Sequence, residues 1–165
     1  MAETTTTDAA PNRSNALIKL VIALLLSFAI MQIFKEPPYN NIKNDQLQVM
    51  LQNNVPIYDV RRPEEWYQTG IIEGSKMLTF VDADGRIQAN FLSRFTADVG
   101  KNDPVILICR TGSRTSTLAH LLVEELGYTN IFNVDHGITL WLGETRPSKS
   151  IINPTLETQY IKCLI

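Results

Sequence analysis

Cys109-Arg110-Thr111-Gly112-Ser113-Arg114-Thr115 is the stretch of this sequence whose residue types could do chemistry. A thiol is followed within six positions by two arginines, a glycine and three hydroxyl side chains. A deprotonated cysteine is a strong nucleophile, and nearby positive charge favours the thiolate. Gly112 lets the loop curl so that successive backbone N–H groups converge on one centre. The chemistry on offer is nucleophilic attack by Cys109 from an anion-binding cradle formed by residues 110–115. The competing reading is an inert thiol closing a buried strand, for which two arginines and a glycine are odd company.

Such a cradle needs a rigid strand before it and a helix behind it. Val105-Ile106-Leu107-Ile108 is an unbroken apolar run, the mark of a strand buried on both faces. A helical pattern over Ser116 to Leu126 follows, with Leu118, Leu121, Leu122 and Leu126 inward and Gly127 closing it. The first N–H groups of that helix lack internal partners and sit at the positive end of its dipole.

Upstream, Asn44 or Asp45 is set to cap a helix running to about Gln52, and Val55 to Val60 reads as a strand with Asp59 at its carboxyl end. Pro63 opens a short helix with Glu64 and Glu65 in its first turn, and Gly70 stops it. A short strand is expected around Met77 to Phe80. Asp82-Ala83-Asp84-Gly85 is turn chemistry, without the further ligands a calcium loop requires. Ile87 to Val99 has helical spacing, Ile131 to Val134 reads as a strand, and Ile138 to Leu142 as a brief helix carrying Trp141. Strands alternating with helices predict an α/β domain with a mainly parallel sheet. Asp59, Cys109 and His136 all fall at strand ends, where ligands gather in such folds.

Ahead of the domain, residues 1–15 read as a disordered polar tail. Residues 16–34 read as a transmembrane helix, with Lys19, Ser27 and Gln32 as its interruptions. As a helix these residues would span roughly 28 Å, close to the ~30 Å hydrocarbon core. A cleaved secretory signal is the rival reading, since Ser27-Phe28-Ala29 offers small residues for cleavage. Residues 35–41 read as a linker and 143–165 as a C-terminal tail. The expected localisation is a single-pass membrane protein with its domain on the exported side, so membrane lipid is an expected partner of residues 16–34.

Composition narrows the classes. The chain of 165 residues carries a net charge of −2 and no basic run longer than Arg61-Arg62, which speaks against a nucleic-acid surface. Cys109 and Cys163 are its two cysteines, so there is no disulfide framework and no metal-binding cysteine pair. A Cys109–Cys163 bridge stays open. Neither a metal nor another cofactor is expected.

Tyr58-Asp59-Val60-Arg61, Glu64-Glu65-Trp66, Gly70-Ile71-Ile72-Glu73-Gly74-Ser75, the Cys109–Arg114 loop, Gly137 and Trp141 occur in an order that resembles a single rhodanese domain over roughly 42–142. The resemblance implies a five-stranded, mainly parallel sheet flanked by helices. It also implies a sulfurtransferase in which Cys109 takes a sulfane sulfur from thiosulfate or a persulfide donor and passes it to a thiol or cyanide-like acceptor. Asp59 and Arg61 match positions tied to scaffolding in that family. Related phosphatases and arsenate reductases place the loop arginine six positions after the cysteine; here Arg114 stands five after Cys109, and the shorter loop suits a sulfur atom better than a phosphoryl group.

Two departures from the pattern stand out. Ile71 replaces a histidine, and His136 replaces the first of two glycines, where a left-handed backbone would be costlier for histidine. His136 is either a rim residue biasing Cys109 or a turn histidine. A membrane-tethered persulfide carrier with little turnover of its own is the alternative function, and Cys163 is a resolving thiol, a lipid anchor or idle.

Overall fold

Val105–Ile108 (β4) is buried at every position and forms the middle strand of a five-stranded sheet. The computed structural model describes residues 13–33 and 36–153. The remaining strands are Asn40–Ile42 (β1), Ile57–Asp59 (β2), Lys76–Met77 (β3) and Ile131–Val134 (β5), in the spatial order β1-β5-β4-β2-β3. Every strand pair is parallel. The helices of this part are Asn44–Gln52 (α2), Pro63–Thr69 (α3), Phe91–Asp98 (α4), Ser113–His120 (α5) and Gly137–Gly143 (α6).

Alternation along β4 divides the core. Val105, Leu107 and Cys109 face one cluster with Phe91 and Phe95 of α4 and Leu118 of α5. Ile106 and Ile108 face the other, with Leu47 of α2 and Ile138 and Trp141 of α6. The four β4 side chains are fully buried, and at roughly 1.5–3 kcal/mol each they pin the strand whose end presents Cys109.

Several elements differ from expectation for local reasons. Asn40 and Asn41 are not linker: they pair in register with Phe132 and Asn133 and make the edge strand. The N-cap of α2 is Lys43, whose N–H donates to the Gln46 side chain 3.0 Å away. The helix expected over Ile87 to Val99 starts only at Phe91. Ile87 instead bridges Val81 across the Asp82–Gly85 turn and stays exposed, so its helical spacing is coincidental. β3 is shorter and earlier than the strand expected at Met77 to Phe80, although Leu78 and Phe80 still donate to the carbonyls of Asp59 and Val60. The helix behind the cysteine loop begins three residues early, at Ser113, and its final turn, Leu121–Glu125, widens to π geometry.

The chain divides into two units, 1–36 and 37–165. The first contains α1 (Arg13–Ile33), whose Leu17, Val21, Leu24, Leu25 and Phe28 are all exposed. No helix among the described residues is long and apolar enough to cross a membrane, so the spanning helix expected over 16–34 is not supported. Lys19 and Ser27 interrupt the apolar run of α1. The tail through residue 12, residues 34 and 35, and the C-terminal stretch 154–165 with Cys163 lie outside the described residues.

Candidate active site

β4 delivers Cys109 to the carboxyl edge of the sheet, where the residue is 1% exposed. The chain then turns through Gly112 at φ +86° into the first turn of α5. A side chain at Gly112 would need that left-handed backbone and would bring its Cβ 3.1 Å from both the His136 nitrogen and the Val134 carbonyl. The start of α6 locks the loop from behind. Ile138 N–H donates to the Cys109 carbonyl at 2.9 Å, and Thr139 donates to the Arg110 carbonyl through its N–H at 3.1 Å and its hydroxyl at 2.8 Å. Gly137, at φ +56°, makes this approach possible: a Cβ there would sit 2.4 Å from the Cys109 carbonyl oxygen. With those carbonyls engaged, the donors left over are the orphan N–H groups opening α5.

Around the sulfur, Thr115 is the direct neighbour. Cys109 Sγ lies 3.4 Å from Thr115 Oγ1, and that hydroxyl also lies 2.9 Å from the Gly112 carbonyl. A hydroxyl has one proton. While it serves Gly112, Thr115 accepts from the thiol; once the sulfur is an anion, the hydroxyl can turn and donate to it. Gly112 then keeps the bond from Ser116 N–H at 2.9 Å. Both residues are buried, so the exchange is shielded from water.

The two loop arginines part company. Arg114 Nη1 donates to Glu65 Oε2 at 3.0 Å and ties the loop to α3. Arg110 is exposed, as are Thr111 and Ser113. Glu65 has a second task, accepting the Arg62 N–H at 3.0 Å to cap α3. Burial alone would raise the Glu65 carboxyl, but the Arg62 N–H and the Arg114 hydrogen bond and charge outweigh it and hold it below the usual glutamate value. Sequence reasoning placed Glu65 in a helix turn and missed this bond. Its capping role was visible as a glutamate three residues after Arg62; a partner 49 residues away was not.

Asp59 and Arg61 sit beneath the site rather than in it. Arg61 Nη2 and Asp59 Oδ2 are 2.6 Å apart, with side chains 1% and 0% exposed. The guanidinium spends its other donors on Thr69 Oγ1 at 2.7 Å, the Gly70 carbonyl at 2.7 Å and the Glu65 carbonyl at 3.3 Å. These bonds fix the end of β2 to the end of α3. His136 holds a left-handed backbone at φ +60° beside Gly112. Its imidazole is 69% exposed, with Nε2 3.6 Å from Asp135 Oδ2, so what the structure places against the loop is its backbone. No cluster of His, Cys, Asp or Glu side chains that could hold a metal occurs among the described residues.

This geometry can be set beside known proteins. A thiosulfate sulfurtransferase, GlpE, of Pseudoalteromonas translucida is 30% identical over 95 residues, covering 58% of this chain and 80% of that one. Among solved structures, Rv0390 of M. tuberculosis matches at 30% identity and a TM-score of 0.51, over 60% of this chain and 80% of that one. The reduced CoADR-RHD of Bacillus anthracis matches at 25% identity and a TM-score of 0.51; 63% of this chain is covered but only 16% of that one. The model of the rhodanese-like domain matches residues 43–144, which run from the cap of α2 through α6 and include the whole cysteine loop. Sheet order, loop and sequence agree, and the chain belongs to the rhodanese-like domain family.

Proposed function

We propose that this protein is a sulfurtransferase that carries sulfur as a persulfide on Cys109. The observation that carries the reading is the pairing of Arg114 with Glu65, which leaves the cradle lined by backbone N–H groups and the Thr115 hydroxyl. A guanidinium fork suits the several oxygens of a phosphoryl group; a single sulfur anion is served by neutral donors aimed at one point. In the first half-reaction the Cys109 thiolate attacks the outer sulfur of thiosulfate or a persulfide donor. The donor's S–S bond breaks and its remainder, sulfite in the case of thiosulfate, departs with the electron pair. In the second half-reaction a thiol or cyanide-like acceptor attacks the outer sulfur and Cys109 leaves as thiolate. The relative named as a thiosulfate sulfurtransferase supports this assignment.

A second reading, a persulfide carrier with little turnover of its own, draws on the 1% exposure of Cys109, which restricts approach by bulky acceptors. Steady-state transfer from thiosulfate to cyanide by the full chain separates the two: turnover that vanishes in Cys109→Ser supports the enzyme, and a single stoichiometric transfer supports the carrier. The proposed localisation is beside a lipid bilayer, because the apolar side chains of α1 are exposed. Flotation of the full chain with phospholipid vesicles tests the association, and recovery in the vesicle-free fraction would contradict it.

A further inference from the structure

Two peptide units of the cysteine loop are held by donors from the start of α6. The Cys109 carbonyl accepts the Ile138 N–H at 2.9 Å, and the Arg110 carbonyl accepts the Thr139 N–H at 3.1 Å and the Thr139 hydroxyl at 2.8 Å. Of these donors the hydroxyl is the one that belongs to a side chain, and neither half-reaction touches it. We infer that Thr139 is a positioning residue for sulfur transfer: its hydroxyl holds the Arg110–Thr111 peptide with the N–H turned toward the seat of the outer sulfur. The inference rests on Cys109 being the sulfur carrier proposed above.

A trans peptide is planar, so its C=O and N–H point to opposite sides. α6 packs on one face of the sheet, where Ile138 and Trp141 meet Ile106 and Ile108. The Cys109 side chain belongs to the other face, with Leu118 of α5. Carbonyls drawn toward α6 therefore turn the N–H groups of Arg110 and Thr111 toward the face that carries the thiol. Neither N–H donates to a backbone carbonyl among the described residues. Both are left for an anion held in the loop.

The contact leaves this peptide little room. A Cβ at Gly137 would come 2.7 Å from both the carbon and the oxygen of the Arg110 carbonyl. That oxygen has two lone pairs, and Thr139 occupies both. With the hydroxyl gone one donor remains, and the carbonyl can swing its negative end toward a sulfur anion. The consequence falls on the loading step. There the S–S bond to Cys109 forms as the S–S bond of thiosulfate breaks, and sulfite leaves with the electron pair. Negative charge passes from the Cys109 sulfur to the outer sulfur, the atom these N–H groups are placed to meet.

The test brings the full chain to equilibrium at fixed ratios of thiosulfate to sulfite. Mass spectrometry then reads the fraction of the Cys109 peptide that carries one added sulfur. Thr139→Val removes the hydroxyl but keeps the N–H and the shape, and it should lower the loading constant roughly three- to tenfold, the size of one hydrogen bond. Thr139→Ala removes the same hydroxyl and should match it, while Thr139→Ser keeps the donor and should match the unaltered chain. An unchanged loading constant in Thr139→Val and Thr139→Ala overturns the inference, even if their urea midpoints fall, because the hydroxyl is then a strut alone. An equal loss in Thr139→Ser overturns it as well. Failure of the unaltered chain to gain sulfur on Cys109 at any ratio would instead sink the carrier reading, and this inference with it.

Discussion

Arg114 Nη1 lies 3.0 Å from Glu65 Oε2, so the arginine five positions after Cys109 is a strut between the loop and α3. Both side chains are mostly covered, 23% and 10% exposed. Glu65→Gln keeps the shape but removes the charge. It should cost about 1.5–3 kcal/mol, the range for a hydrogen bond to a charged group. Urea unfolding with an unchanged slope measures it, and a double-mutant cycle with Arg114→Met should show coupling between the two sites.

The same pair has a pH signature. Glu65 ionises below the ordinary glutamate value of 4.5 in the folded protein. A depressed carboxyl contributes stability that is fully present above the unfolded value and is lost as pH falls through the folded one. The strut should hold through neutral and mildly acidic solution and release below the ordinary glutamate range. In Glu65→Gln, that part of the acid-side loss of stability should be missing.

Asp59 and Arg61 should behave differently from a surface pair. Arg61→Met strands a carboxylate that is fully buried, and loss of one partner of a buried pair costs about 3–5 kcal/mol. Arg61→Lys should recover little, because one ammonium does not span Asp59, Thr69 and the Gly70 carbonyl. Denaturant midpoints of the two variants, both well below that of the unaltered chain, would bear this out. A midpoint near the original for Arg61→Lys would count against it.

Neighbouring positions 136 and 137 predict opposite outcomes. Gly137→Ala drives a Cβ to 2.4 Å from the Cys109 carbonyl at a left-handed backbone. It should destabilise by more than about 3 kcal/mol or displace the cysteine loop. His136→Gly relieves a left-handed non-glycine residue, worth about 1–2 kcal/mol, partly offset by a looser unfolded chain. A small net gain in melting temperature is expected. Gly143→Ala, where nothing lies within 4 Å, is the control that should change little.

Much of this fold is legible in the order of residues along the chain. The apolar run at Val105–Ile108 signals a buried strand because all four side chains go inward, two to each face of the sheet. The cysteine loop stands out through residue types packed into seven positions. What local patterning misses is set by distant partners. Asn40 and Asn41 become a strand because Phe132 and Asn133 pair with them, and nothing in a polar pair of asparagines signals that. Ile87 keeps helical spacing yet is held in a bridge to Val81. Both the role of Arg114 and that of Glu65 depend on their meeting across 49 residues.

The central claim is that Cys109 carries sulfur. The direct measurement is the mass of the full chain after brief exposure to thiosulfate, with fragmentation to locate any adduct. One added sulfur atom on the peptide bearing Cys109, removed by cyanide and absent in Cys109→Ser, is the predicted result. An unchanged mass on that peptide, or the same adduct in Cys109→Ser, would contradict the account.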